Sequence, residues 1–310
     1  MLTRLSPELK EIIFLVLAFK PINLILMFIG RLLASLGLMG KVTSECLPAR
    51  AMVKVKLSGG RFFVMENREG RDLVANSLFW LGADGYESES IRVWSRLAEE
   101  AKYIFDIGAY TGIYSLTAAV SNPEAALYAF EPILKQYRCF QRNIEINHFK
   151  NVYAFPKAVS DSQGIILLYV PRQSLFATTP SIENIFDDGK NMTTTEVDCV
   201  TLDQFIDDQR IPKIDLVKVD VELAEAKVMK GMKKTIHQSR PFILMEVLPI
   251  QTTEAFFEEF CSQTEYTPFW ITSRGVENVG KIRGDTSNRF RNYLFVPREK
   301  VELLNKLLNK

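Results

Sequence analysis

The stretch Tyr103-Ile104-Phe105-Asp106-Ile107-Gly108-Ala109-Tyr110-Thr111-Gly112 decides the fold. Its apolar run, Tyr103 to Phe105 followed by Ile107, suits a strand of a parallel sheet, and Asp106 falls near the strand's end. Gly108 and Gly112 then open a helix that begins Ile113-Tyr114-Ser115-Leu116. Residues without a Cβ permit a tight bend and a close approach of backbone to a ligand, so a nucleotide-like cofactor is expected here. Taken alone, the spacing suits an ordinary strand-to-helix turn equally well, and the rest of the chain must decide.

Outward from this turn the pattern alternates. Strands are expected at 103–107, 126–130, 151–155, 214–219 and 241–247, with helices near 112–120, 133–147, 222–236 and 251–262. That order implies an α/β fold with a mostly parallel sheet and helices on both faces. Upstream, VKVKL, the turn Ser58-Gly59-Gly60 and RFFVM read as a β-hairpin, followed by a mainly helical stretch over 72–100 that is broken at Gly82-Ala83-Asp84-Gly85. The insertion at 161–205 is expected to shape a substrate pocket at the carboxyl edge of the sheet. Two more strands, 266–272 and 291–296, and the amphipathic VELLNKLLNK complete the chain.

Residues 12–38 stand apart: IIFLVLAF, then Lys20-Pro21, then a second apolar run to Gly40. Near-continuous apolar sequence of about 18 residues reaches membrane-span length, but Lys20, Pro21 and Asn23 interrupt it and favour two short helices. Such helices either lie in a membrane interface or pack on the catalytic domain or a partner chain. The chain therefore divides into a hydrophobic helical segment, 1–40, and a globular domain, 41–310, with its core at 101–297. The interfacial reading places the protein in the cytoplasm, peripheral to the inner face of a membrane.

Thirty-eight basic and 37 acidic residues leave a net charge of +1, which gives no electrostatic footprint for nucleic acid. Cys46, Cys139, Cys199 and Cys261 have no CxxC spacing and suit free thiols in a reducing compartment. With only His148 and His237, neither a zinc site nor a serine-histidine-aspartate triad is expected, and both histidines read as surface residues at helix C-terminal ends.

The chemistry falls to carboxylates. Glu131, after the second strand, stands at about the spacing where an acidic residue meets ribose hydroxyls. The fourth strand runs into Asp220-Val221-Glu222-Leu223-Ala224-Glu225, a group able to bind a hydroxyl, act as general base, hold a hard cation, or simply cap the following helix. Glu246 ends the next strand and should lie near Asp220, where neighbouring carboxylates raise one pKa toward neutrality.

Together FDIGAYTGIYSL, AFEP, KAVSDSQG, VTLDQF, LVKVDVELAE, FILMEVLP and NYLFVP, spread over Arg61 to Pro297, resemble the FkbM-type family of class I S-adenosylmethionine-dependent methyltransferases. The resemblance implies a seven-stranded Rossmann-like sheet with an antiparallel last strand. It implies S-adenosylmethionine as cofactor, with Gly108 and Gly112 under its methionine part and Asp106 ordering that loop. Glu131 would hold the ribose, Ala158 and Val159 would lie beside the adenine, and Asp220 close to the methyl group. It also implies O-methylation of a hydroxyl on a small molecule, sugar, glycolipid or secondary metabolite, with Asp220, Glu222 and Glu246 as catalytic candidates. No metal is called for. Two residues depart from the pattern: Tyr110 stands where family members usually carry Asn, and Leu223 where they usually carry Gly. If the turn at 223 requires positive φ, leucine is costly there, and a silent, membrane-attached cofactor-binding protein is the alternative.

Overall fold

The computed structural model describes residues 13, 15–38, 47–171, 192–221, 223–287 and 289–309. The hairpin forms as read: β1 (Ala51–Lys56) pairs antiparallel with β2 (Phe62–Asn67). Helices α2 (Leu73–Leu81) and α3 (Ser88–Ala98) follow, separated by a 3-10 turn at Gly82–Asp84.

The main sheet contains β3 (Tyr103–Ile107), β4 (Ala126–Phe130), β5 (Val152–Phe155), β9 (Leu216–Val219), β10 (Phe242–Glu246), β11 (Tyr266–Thr272), β12 (Gly275–Asn278) and β13 (Asn292–Pro297). Its order is β12-β11-β13-β10-β9-β3-β4-β5. From β5 to β10 all neighbours are parallel, and β13 runs antiparallel between β10 and β11. The seven expected strands are present with the last one antiparallel. An eighth, β12, turns back from β11 through Ser273-Arg274 at one edge.

Helices α4 (Ile113–Ser121) and α5 (Leu134–Ile146) connect β3, β4 and β5. The insertion builds its own sheet of β6 (Ala158–Val159), β8 (Met192–Val200) and β7 (Gly164–Pro171), after which α6 (Leu202–Gln209) leads to β9. The single helix expected at 222–236 is two, α7 (Glu225–Gly231) and α8 (Lys233–Gln238). The break falls at Met232, which leaves helical φ/ψ, and beside it a Cβ at Gly231 would stand 2.0 Å from the Ser160 carbonyl oxygen, so backbone meets backbone there. Helices α9 (Gln251–Thr264) and α10 (Val301–Leu308) complete the chain.

Side chains alternate across each strand, and the sheet separates two hydrophobic cores accordingly. Ile104, Leu127, Leu216, Leu244 and Leu294 face one core; Phe105, Val217, Ile243, Met245 and Phe295 face the other. The hairpin is tied to the glycine turn by Asn143 on α5, whose side chain accepts from Glu66 N at 2.7 Å and donates to Thr111 O at 2.9 Å.

The N-terminal segment is helical over 15–18, bends at Phe19 and resumes as α1 (Lys20–Ser35), so the break precedes Lys20 rather than following Pro21. Proline in a first helical turn loses no internal hydrogen bond. The inward face of α1 docks through Asn23, which donates to Pro48 O at 2.7 Å, through Gly30, which sits against Trp80, whose ring a Cβ would meet at 2.3 Å, and through half-buried Met27 beside the same tryptophan. Its outward face carries exposed Leu24, Ile25, Phe28, Ile29 and Leu32. Among the described residues no helix is long and apolar enough to cross a membrane.

Candidate active site

Period two along the strands explains the site. Reading two residues onward from Ile104, Ala129, Leu216 and Leu244, each on the first-core face, gives Asp106, Glu131, Lys218 and Glu246. Asp220 extends the same series, and Asn292 precedes Leu294 on antiparallel β13. All stand at one edge of the sheet, on one face, where the apolar core gives way to a cavity of about 790 Å³ lined by every one of them. A volume in this range suits a cofactor together with a small second ligand.

The glycine turn forms one wall. Gly108 N and Ala109 N both donate to Phe130 O at 2.9 Å, and Asp220 N donates to Ile107 O at 2.9 Å. Gly108 has φ +82, and a Cβ there would lie 1.8 Å from the Asp220 carbonyl oxygen. Gly112 makes a second, packing contribution. It is absent from the cavity wall, and its missing side chain makes room for the Phe140 ring, which a Cβ would meet at 2.2 Å.

Asp106 is buried and accepts a 2.6 Å hydrogen bond from Ser115 Oγ, which fixes the start of α4. Burial pushes its carboxyl up to about 6, against the opposing pull of Ser115 and Lys218. Glu131 holds the turn from the other side, its Oε2 accepting from Tyr110 N at 2.9 Å and its Oε1 from Ile133 N at 2.8 Å. Burial pushes Glu131 up to about 8 despite those two bonds. Each oxygen keeps a second lone pair for a ligand hydroxyl.

Both residues that depart from the family pattern sit in left-handed backbone: Tyr110 has φ +53 and Leu223 φ +71. Asn and Gly enter that region readily, whereas a bulky residue pays roughly 1–2 kcal/mol. Leu223 thus adopts the glycine-type turn instead of replacing it. Of the acidic cluster, Asp220 lines the cavity, and Glu225 is buried outside it, its Oε1 accepting from Val221 N at 3.4 Å. Burial, with Asp220 adding, pushes Glu225 up to about 7. Glu222 lies outside the described residues.

Residues the sequence reading passed over complete the site. Lys218 is wholly buried, 3.0 Å from Asp220 Oδ2, with its ammonium 4.9 Å from the centre of the Tyr114 ring. Burial draws this ammonium down, but Asp220 and Glu87 outweigh it and the net shift is upward. The Tyr114 hydroxyl donates to Glu87. Across the sheet, Arg291 Nη1 donates to Glu246 Oε1 at 3.0 Å. Burial, then Asp220 and Glu87, push the Glu246 carboxyl up to about 8. The register sets Asp220 beside Glu246, since Val219 pairs with Met245 one residue before each. A lysine inside the otherwise apolar Leu216–Val219 strand, two residues before Asp220, was the signal to find it. Ala158 and Val159 line the cavity from β6, and Leu168 joins them from β7. Among the described residues no group of three or more His, Cys, Asp and Glu is placed to hold a metal ion.

Residues 106–276, more than half of the chain, match the Methyltransferase FkbM domain. The chain belongs to the FkbM methyltransferase family. Relatives of the FkbM domain include hexuronic acid methyltransferase AglP of Haloferax volcanii, 27% identical over 52% of this chain and 62% of that protein. Methyltransferase sdnD of Sordaria araneosa is 30% identical over 42% of this chain and 60% of its own length. Methyltransferase 1 of Beauveria bassiana is 27% identical over 42% and 58%. The chain therefore spans about 60% of the length of these curated relatives. A crystal structure of Methyltransferase FkbM from Methylobacillus flagellatus is a more distant likeness, 14% identical over 72% of this chain and 53% of that one, with a TM-score of 0.43.

S-adenosylmethionine is the cofactor of this family, and the cavity fits it. Gly108 leaves its wall bare of side chain, Glu131 keeps free lone pairs at the end of β4, and carboxylates at the ends of β9 and β10 suit a sulfonium cation.

Proposed function

We propose that the chain methylates a hydroxyl oxygen of a small-molecule, sugar or glycolipid acceptor. The observation that carries this reading is the alignment of Asp106, Glu131, Lys218, Asp220, Glu246 and Asn292 on one face at one sheet edge, around a single cavity. The bound cofactor supplies an activated methyl group on sulfur. Gly108 offers it bare backbone, Asp106 and Ser115 keep that turn in place, Glu131 accepts from the ribose hydroxyls, and Ala158 and Val159 flank the adenine. Asp220, held by Lys218, would border the methyl group. When the cofactor's methyl group is taken by the acceptor oxygen, Glu246 would receive the hydroxyl proton, and its raised pKa of about 8 suits it to hold a proton near neutrality. Alignment and proton removal are the main demands of such a transfer. Leu223 sits at φ +71, the costly condition on which the silent-binder alternative was raised, but the turn keeps its glycine-type shape and Asp220 still lines the cavity, which favours the active reading.

Titration calorimetry tests the cofactor half. The protein should bind S-adenosylhomocysteine, and Glu131→Ala should weaken binding roughly tenfold, about 1.4 kcal/mol, for the loss of hydrogen bonds to a buried carboxyl. No measurable heat with the unaltered protein would sink the proposal. AglP, by name, acts on a hexuronic acid; this relative supports a sugar acceptor here.

For the N-terminal segment we infer a membrane-surface role. The outward apolar face of α1 lies on a body-anchored helix too short to span the ~30 Å hydrocarbon core. Phe28, 77% exposed, is its most prominent side chain. In sedimentation with phospholipid vesicles, the protein should pellet and Phe28→Glu should pellet markedly less. Equal partition of the two would remove the inference.

A further inference from the structure

The cavity has a half that the cofactor residues leave over. Asp106, Gly108 and Glu131 belong to β3 and β4, whereas Glu246, Ile271, Phe290 and Asn292 line the far side, around β10, β11 and β13. In that half the Asn292 amide oxygen stands out. Asn292 is only 4% exposed, and its buried Oδ1 has no hydrogen-bond partner in the protein. Leaving a buried amide oxygen unpaired is costly, and in a ligand cavity it marks the place of a missing donor.

The backbone fixes what that donor must accompany. Glu246 and Asn292 are directly paired across antiparallel β10 and β13. Val247 N donates to Arg291 O at 2.8 Å, which makes 247 and 291 the hydrogen-bonded pair and 246 and 292 the adjoining non-hydrogen-bonded pair. Side chains of such a pair share a face and approach most closely, with Cα atoms roughly 4.5 Å apart. Arg291 holds one oxygen of Glu246, at 3.0 Å, and so limits where its carboxylate can turn.

We infer that Glu246 and Asn292 form a subsite for two hydroxyls on adjacent carbons of the acceptor. Glu246 takes the hydroxyl that is methylated, and Asn292 Oδ1 accepts from its neighbour. Two hydrogen bonds of about 2.7 Å reach from adjacent side chains to adjacent oxygens without spreading either residue. Ile271 and Phe290 present apolar surface beside them, suited to the carbon-bound hydrogens of a ring. The acceptor class is thus a vicinal diol, as in sugars and cyclitols, and Asn292 determines specificity rather than driving the chemistry. The inference rests on the methyl-transfer reading given above, since that reading assigns this half of the cavity to the acceptor.

The probes are trans-1,2-cyclohexanediol and cyclohexanol, which differ by the one hydroxyl assigned to Asn292. Their binding to protein saturated with S-adenosylhomocysteine is followed by saturation-transfer NMR. The diol should bind roughly tenfold tighter than the mono-alcohol, the worth of one hydrogen bond to an otherwise unpaired buried group. Asn292→Leu should erase the difference while S-adenosylhomocysteine still binds, and Asn292→Asp, which keeps an acceptor oxygen, should retain it. Equal binding of the two probes, or of neither, to protein that holds S-adenosylhomocysteine overturns the diol subsite and leaves the cofactor reading standing. A preference that survives in Asn292→Leu also overturns it. If S-adenosylhomocysteine itself fails to bind, the methyl-transfer reading falls instead.

Discussion

Gly108→Ala should abolish measurable S-adenosylhomocysteine binding and lower the unfolding free energy by about 3 kcal/mol or more. A Cβ at this position lies 1.8 Å from the Asp220 oxygen and 2.8 Å from its carbonyl carbon, so the obstacle is backbone and cannot rotate aside. The turn cannot retreat either, because Gly108 N and Ala109 N are both bonded to Phe130 O and Asp220 N to Ile107 O. Positive φ adds a further ~1 kcal/mol for any residue with a Cβ. Gly112→Ala, by contrast, meets the Phe140 side chain, which can shift within the core, and should spare cofactor binding more than it spares stability. Denaturant titration alongside calorimetry separates the two variants. Near-normal affinity in Gly108→Ala would mean that the cofactor does not pass this turn.

Lys218→Met should destabilise the protein by about 2–3 kcal/mol at alkaline pH and by much less near pH 5. Removing one partner of a buried ion pair costs about 3–5 kcal/mol, and the lower figure applies because Asp220 is 24% exposed. The pH dependence follows from the neighbours. Asp106, Glu225 and Glu246 have folded values raised to about 6, about 7 and about 8, with burial as the first cause in each. A carboxyl whose folded pKa is raised contributes stability that is present below its ordinary value and lost as pH climbs through the raised one. The unaltered protein should therefore lose stability between about pH 5 and pH 8. Without the ammonium the carboxylates repel one another unopposed, their folded values rise further, and the loss steepens. Melting temperatures across pH 5 to 9 give the answer: a deficit of several degrees at pH 9 that shrinks toward pH 5. A deficit independent of pH would assign Lys218 a packing role only.

The legible part of this protein was whatever a single strand or turn encodes by itself. The apolar runs of β3, β4, β9 and β10 and their terminal acids announced both the parallel sheet and one end of each. Pairing between strands was harder to read. Lys218 takes its place only once period two puts it on one face with Asp220, and Asn292 matters only because antiparallel β13 delivers it opposite Glu246. Gly112 and Gly231 were opaque for a similar reason. What each glycine admits, the Phe140 ring and the Ser160 carbonyl, comes from another part of the chain. The N-terminal break at Lys20-Pro21 was visible, but that α1 would dock by Asn23 and Gly30 and turn its leucines outward depends on Pro48 and Trp80.

Leu223 bears on how the molecule is assembled. A glycine at that place lets a turn sample its final shape in the unfolded chain, whereas a leucine at φ +71 resists it until neighbours enforce it. The strand before it and the helix after it hold it there. The shape of the edge carrying Asp220 is therefore imposed by the strand and helix around it and not by the turn's own preference.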